Sequence, residues 1–265
     1  MSSDTHPPFS FLGQWSGQLV ATAIHNGHGL REETAEEMAL DEDTRLREED
    51  PFTDVLAATA PAFVVVHRSR FEVDLNRPRD EAVYRRPEDA WGLEIWEDEQ
   101  LPDDAARESL RIYDSFYAEL GNYLDRLAAR GPFVVYDVHS YNHRRDGSDA
   151  PPEPRRDNPE VNLGTGTVDP RFRPVVDAFR ESLGRQRTDG SRVDVRENVK
   201  FEGRQLAQWV HERYPGIGCC LALEFKKTFM DEWRGRPVEA HLSQLQEALT
   251  ATQEPVLAAL AEVPR

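Results

Sequence analysis

The sequence predicts an α/β fold in which helices cover both faces of a sheet, and three observations carry the prediction. Four short apolar, β-branched runs end in polar residues able to do chemistry. Between them lie stretches whose apolar residues recur at helical spacing. The chain, at 265 residues, can bury a substantial core without disulfides or a structural metal. With no internal repeat or linker in view, one domain over residues 1–265 is expected.

The first run is GQLVATAIH (17–25), and the second, AFVVVH (62–67), leads through the extended segment RSRFEVDLNR. The third is PFVVYDVHS (132–140) and the fourth GIGCCLALEF (216–225). Buried strands of this kind deliver side chains at their C-terminal ends, here His25, His139 and Glu224. Helices are expected at about 104–127, 203–213 and 237–260. Residues 142–160 and 184–192 are rich in Pro, Gly, Arg and Asp and read as surface loops. The acidic stretch 32–50 reads as an ordinary solvated segment, with a mobile lid as the alternative.

The net charge of −17 repels nucleic acid phosphates and anionic membranes, so neither is an expected partner. An anionic small molecule would need particular arginines set against that field. Cys219 and Cys220 are adjacent in an apolar run and read as small buried hydrophobes. The opening MSSDTHPPFSFLGQ has no basic region followed by an apolar stretch, and nothing reaches the roughly 20 apolar residues that span a bilayer. A cytoplasmic location is therefore expected.

Two histidines at strand ends, His25 and His139, can converge on one ion. Neutral imidazole suits zinc, and a catalytic zinc takes three protein ligands and keeps a position for water. Asp50 in EEDPFTDVL is the leading third ligand, although Asp followed by Pro is also a good helix start; Glu48, Glu49 and His28 are the alternatives. Arg77 carries the planar fork that grips a carboxylate and Asn76 adds amide donors; the competing reading pairs Arg77 with Asp74 or Asp80. Glu224 is costly to bury without a partner or a task, so it is either a general base or a member of a salt bridge to Lys226, Lys227 or an arginine.

Taken in order, these pieces resemble the N-formylglutamate amidohydrolase family over about residues 17–232. The carriers are His25-Asn26-Gly27, then Glu48-Glu49-Asp50-Pro51-Phe52-Thr53-Asp54, then Ser69 to Arg77. Asp137-Val138-His139-Ser140, Leu163-Gly164-Thr165 and Asn198 to Gly203 follow, and Glu224 with Phe229-Met230-Asp231-Glu232 closes the series. Ile24 stands where the family has proline, His28 replaces a less basic residue, and Glu202 replaces one of two glycines.

The resemblance implies a three-layer α/β/α hydrolase of the phosphorylase/hydrolase-like type, with a central mixed, largely parallel sheet and a kinship to zinc carboxypeptidases. It implies Zn2+ on His25, Asp50 and His139, with Glu224 as base. Asn76 and Arg77, helped by Arg70, would hold a substrate carboxylate. Apart from the resemblance, His28 is read as an electrostatic stabiliser of the oxyanion. The expected activity is cleavage of the amide of an N-acyl acidic amino acid. A carboxypeptidase-like or peptide-modifying metallohydrolase is the alternative, and a non-catalytic binding protein a further one.

Overall fold

The computed structural model describes residues 7–98 and 101–264; residues 1–6, where the segment weighed for targeting begins, lie outside the described residues. In chain order the strands are β1 (Phe9–Gly13), β2 (Leu19–Ala23), β3 (Ala62–Val66), β4 (Phe133–Tyr141), β5 (Val161–Gly164), β6 (Arg187–Thr188), β7 (Ser191–Arg192), β8 (Val195–Glu197), β9 (Gly218–Lys226), β10 (Met230–Asp231) and β11 (Arg236–Pro237). Seven of them share one sheet in the order β1-β3-β2-β4-β9-β5-β8. The four apolar runs supply β3, β2, β4 and β9, which lie side by side and parallel. On the outside, β1 is antiparallel to β3 and β5 is antiparallel to β9, so the sheet is mixed.

The helices are α1 (Glu32–Glu36), α2 (Glu42–Glu48), α3 (Thr53–Ala57), α4 (Asp103–Ala128), α5 (Arg173–Arg185), α6 (Gln205–Arg213), α7 (Glu239–Thr250) and α8 (Gln253–Ala261). Because side chains alternate across a strand, Val134, Tyr136 and Val138 of β4 join a core with α3, α5, α7 and α8, including Leu56, Phe179 and Leu245. Phe133 and Val135 point the other way, into a core with Phe116, Leu120 and Leu124 of α4 and Val210 of α6. Both faces are thus covered, giving three layers. A central strand must then be apolar on each side, and every residue of β4 is buried.

Several expectations are refined. The single helix read over 237–260 is two, because Pro255, with no N–H and a ring that would meet the carbonyl four residues back, cannot sit inside a continuous helix. The break is closed by Thr252, whose Oγ1 donates to Leu249 O at 2.7 Å. The segment 184–192 is not only loop: it takes in the end of α5 and the β6–β7 hairpin, turned on Asp189 and Gly190, both at positive φ as such tight turns require. Stretch 32–50 is not merely solvated. It folds as α1 and α2, with Asp41 capping α2 at Thr44 N, and it buries Arg45, Glu49 and Asp50.

Candidate active site

The parallel strands β2, β4 and β9 end together, and the chemistry collects there. By alternation, Asp137 and His139 of β4 and Glu224 of β9 fall on the α4/α6 side, and His139 pairs in register with Glu224. His25 lies just past β2. The turn that follows it packs so tightly on the segment after β3 that a Cβ at Gly27 would be 2.3 Å from the carbonyl carbon of His67. Only glycine fits there. Asp50 follows α2, and its backbone N–H donates to His25 O at 2.9 Å. It does not cap the next helix, whose N-cap is Phe52 at φ 69°.

Among the described residues, His25, Asp50 and His139 form one group able to hold a metal ion, their ligand atoms all within 4.8 Å of one another. Asp50 Oδ2 lies 3.1 Å from His139 Nδ1 and 3.5 Å from His25 Nδ1. Each imidazole turns its other nitrogen to a second carboxylate. His25 Nε2 meets Asp74 Oδ1 at 2.7 Å, and His139 Nε2 lies 3.1 Å from Asp137 Oδ2. Both Nδ1 atoms thus face Asp50, and a carboxylate beyond each Nε2 can hold that nitrogen's proton when Nδ1 serves as a metal donor. Asp137 is itself held by Thr22 Oγ1 at 2.7 Å, and Ser140 Oγ donates to Asp50 Oδ1 at 3.2 Å.

The charges support the same use. Burial opposes ionisation of Asp50, yet the hydrogen bonds from His139 and His25 outweigh it and hold its carboxyl well below the ordinary range. Burial likewise opposes a charge on His139, and Asp137 overcomes it, holding the imidazole well above its usual value. Three carboxylates, Asp50, Asp74 and Asp137, converge on two imidazoles, a surplus of negative groups that suits a bound cation. The donor set, two nitrogens and a carboxylate oxygen with both outer nitrogens anchored, fits a divalent transition metal.

Glu224 opens on the same cleft. Burial pushes its carboxyl up to about 7; His139 pulls it down and Asp50 pushes it further up. It makes no ion pair or hydrogen bond among the described residues, so the salt-bridge reading is not realised. Lys227, its neighbour at the end of the strand, is turned instead to Arg47 O and Glu49 O, at 2.6 Å each.

The cleft is lined by His25, Asp50, His139, Glu224, Arg70, Asn76, Glu48, Asn142 and Lys227, with Trp91, Arg145, Phe201 and Arg204 among the others. Arg70 is anchored by Asp74 Oδ2 at 2.7 Å and Tyr84 OH at 3.3 Å. Asn76 is held by its Oδ1, which accepts from Leu206 N at 3.2 Å, and its Nδ2 lies 3.4 Å from His139 Nε2.

Two expected site residues are not among those lining the cleft. Arg77 donates to Asp89 O at 2.6 Å, lies over the Tyr84 ring and approaches Asp74 at 3.7 Å, which is the pairing that competed with its carboxylate role. His28 presents Nδ1 to Glu49 Oε2 at 2.6 Å and Nε2 to Arg45 Nη2 at 3.2 Å, so both nitrogens are engaged behind the site. Glu49 is bound by Ser69 and His28, and Glu48 by Asn142 Nδ2 at 3.1 Å; neither joins the three-donor group. Sequence reasoning passed over Arg204, an exposed cation with no ion pair among the described residues at the start of α6. It also gave no task to Asp137, although its place two residues before His139 puts both on one strand face.

The chain aligns with a solved N-formylglutamate amidohydrolase from Ralstonia eutropha JMP134 at TM-score 0.74 and 19% identity, covering 97% of this chain and 98% of that one. A solved protein from Agrobacterium tumefaciens aligns at TM-score 0.65 and 15% identity, covering 97% of each chain. At these identities the likeness is one of fold. No curated protein matches the sequence. The family model described as N-formylglutamate amidohydrolase matches residues 17–230, from the start of the β2 run to β10. With that span matched and the strand-end cluster inside it, the chain belongs to the N-formylglutamate amidohydrolase family and is an amidohydrolase.

Proposed function

We propose that the chain is a zinc-dependent hydrolase that cleaves the amide of an N-acyl acidic amino acid, N-formyl substrates included. The observation that carries this reading is the group His25, Asp50 and His139 beside Glu224 of the adjoining strand, a carboxylate with no hydrogen-bond or ion-pair partner among the described residues. Two imidazoles and a carboxylate suit zinc better than magnesium or calcium. Bound there, the ion supplies Lewis acidity to the amide carbonyl and makes water more acidic.

The chain's own groups do the rest. Glu224 takes the proton of the attacking water and returns it to the departing amine. Burial raises its carboxyl to about 7 in the metal-free site, and a bound cation lowers it from there, so that it is ionised and able to accept a proton near neutral pH. Arg70, immobilised by Asp74 and Tyr84, and Arg204, with no ion pair among the described residues, are the cations suited to a substrate carboxylate. Asn76 adds an amide beside His139. Holding that carboxylate fixes its distance to the scissile carbonyl and so selects acidic substrates. The name of the Ralstonia eutropha protein supports the same substrate class.

The test is metal analysis of protein purified without chelator, followed by hydrolysis of N-formylglutamate beside N-formylglutamine. One zinc per chain and a clear preference for the acid are expected. Protein that neither carries nor is activated by a divalent metal overturns the zinc reading, and equal cleavage of the two substrates overturns the carboxylate reading.

A further inference from the structure

A lysine that is 1% exposed needs a reason, because an ammonium taken out of water costs several kcal/mol unless its donors are used. Lys227 has one. Its Nζ donates to Arg47 O and to Glu49 O, both at 2.6 Å. Arg47 lies in the last turn of α2, whose final carbonyls have no partner within the helix. A cation is also favoured at that end of a helix dipole. Glu49 O belongs to the residue directly before Asp50, the carboxylate ligand. Lys227 itself comes directly after β9, three residues beyond Glu224.

The two halves of the site therefore meet at one ammonium. Asp50 is carried by a short connection, not by a strand, and among the described residues its own backbone is tied by its N–H to His25 O and its carbonyl to Thr53. We propose that Lys227 is a positioning residue that locks the carboxylate ligand Asp50 to the end of the strand bearing Glu224. Through it, the acid that holds the metal and the acid that moves the proton keep a fixed separation. Glu48, Asp50 and Glu232 supply negative charge around the ammonium, which offsets part of its burial. This inference rests on the metal reading above.

The experiment measures zinc affinity by chelator competition in parent, Lys227→Met and Lys227→Gln proteins, with the visible spectrum of the cobalt-substituted forms as a second readout. Loss of a direct outer partner of a ligand lowers metal affinity roughly 10- to 100-fold, and Lys227, which bonds to the carbonyl next to Asp50, belongs at the lower end of that range, about tenfold. That loss is expected in Lys227→Met, with a smaller one in Lys227→Gln, which keeps amide donors, and with an altered cobalt spectrum in both. The melting temperature of the metal-free variants separates this from general destabilisation. A folded Lys227→Met protein with affinity within twofold of the parent and the same spectrum overturns the role of Lys227 and leaves the metal reading intact. No metal binding by the parent overturns both.

A measurement on the unaltered protein covers the case in which neither variant folds. Zinc added to the metal-free parent is expected to slow amide hydrogen exchange at residues 49–50 and 226–228 together. Protection confined to 49–50 overturns the link.

Discussion

At the floor of the cleft His139 and Glu224 face each other across adjacent parallel strands, whereas at its rim Trp91, Arg145 and Arg204 stand on connecting segments. The floor side chains inherit their spacing from a backbone ladder, and slipping its register by one residue would turn them to the opposite face. His139 is 2% exposed, and its outer nitrogen faces Asp137. At the rim Trp91 is 52% exposed, and Arg204 has no ion pair among the described residues. The difference teaches a division of labour: the sheet and the tight turns packed on its strand ends fix the buried cluster, and the exposed segments around it set what reaches it.

The largest expected effect tests whether the floor acts as a unit. His139→Ala should abolish metal binding, while His143→Ala, in the loop past β4 and beside Glu232 at 3.2 Å, should retain it. Equal metal content in the two variants would dissolve the distinction between strand-borne and loop-borne histidines.

Next comes the chemistry. Glu224→Gln should keep zinc and lower kcat by roughly a hundred- to ten-thousand-fold, the usual contribution of general acid–base catalysis. A base at Glu224 would work only when ionised, so on this proposal the parent's rate should rise with pH through a limb at or below about 7, because a bound cation lowers the carboxyl from its raised value. The variant should lack that limb. An unchanged pH profile with turnover within a few-fold of the parent would return Glu224 to a structural role.

The smallest effect sharpens the boundary at the rim. Arg204→Ala should raise KM for the acidic substrate roughly 10- to 150-fold, the range of a lost hydrogen bond to a charged group, and should spare the neutral amide. Arg77→Lys, altering a guanidinium already held by Asp89 O and Tyr84, should leave the ratio between the two substrates unchanged. The reverse result would restore the carboxylate to Arg77.

The same division explains what is legible in the sequence. The four central strands could be read because each is buried on both faces and therefore apolar along its length. His25, His139 and Glu224 stood out as polar ends of those runs. Asp50 was identifiable only among competitors, since Glu48, Glu49 and His28 have suitable chemistry and the packing after α2 decides between them. Arg77 and Arg204 illustrate the limit. Both are arginines near a turn, and their roles depend on the tertiary position of Asp89, Tyr84 and α6, which no local pattern encodes. The peripheral strands β1, β5 and β8 went unread for a related reason: they are short, and β8 is only half-buried, so they lack a continuous apolar signature.

The three donors come from places far apart along the chain: beyond β2, after α2 and within β4. An ion gripped by all three would act as a removable staple closing long loops, which are the closures that gain most from being pinned. Because the unfolded chain does not present the three donors together, mass action then favours the native state by about 2.7 kcal/mol when free metal exceeds its dissociation constant a hundredfold. Metal supply would govern not only turnover but also how long each molecule survives, with starved copies the first to open and be degraded.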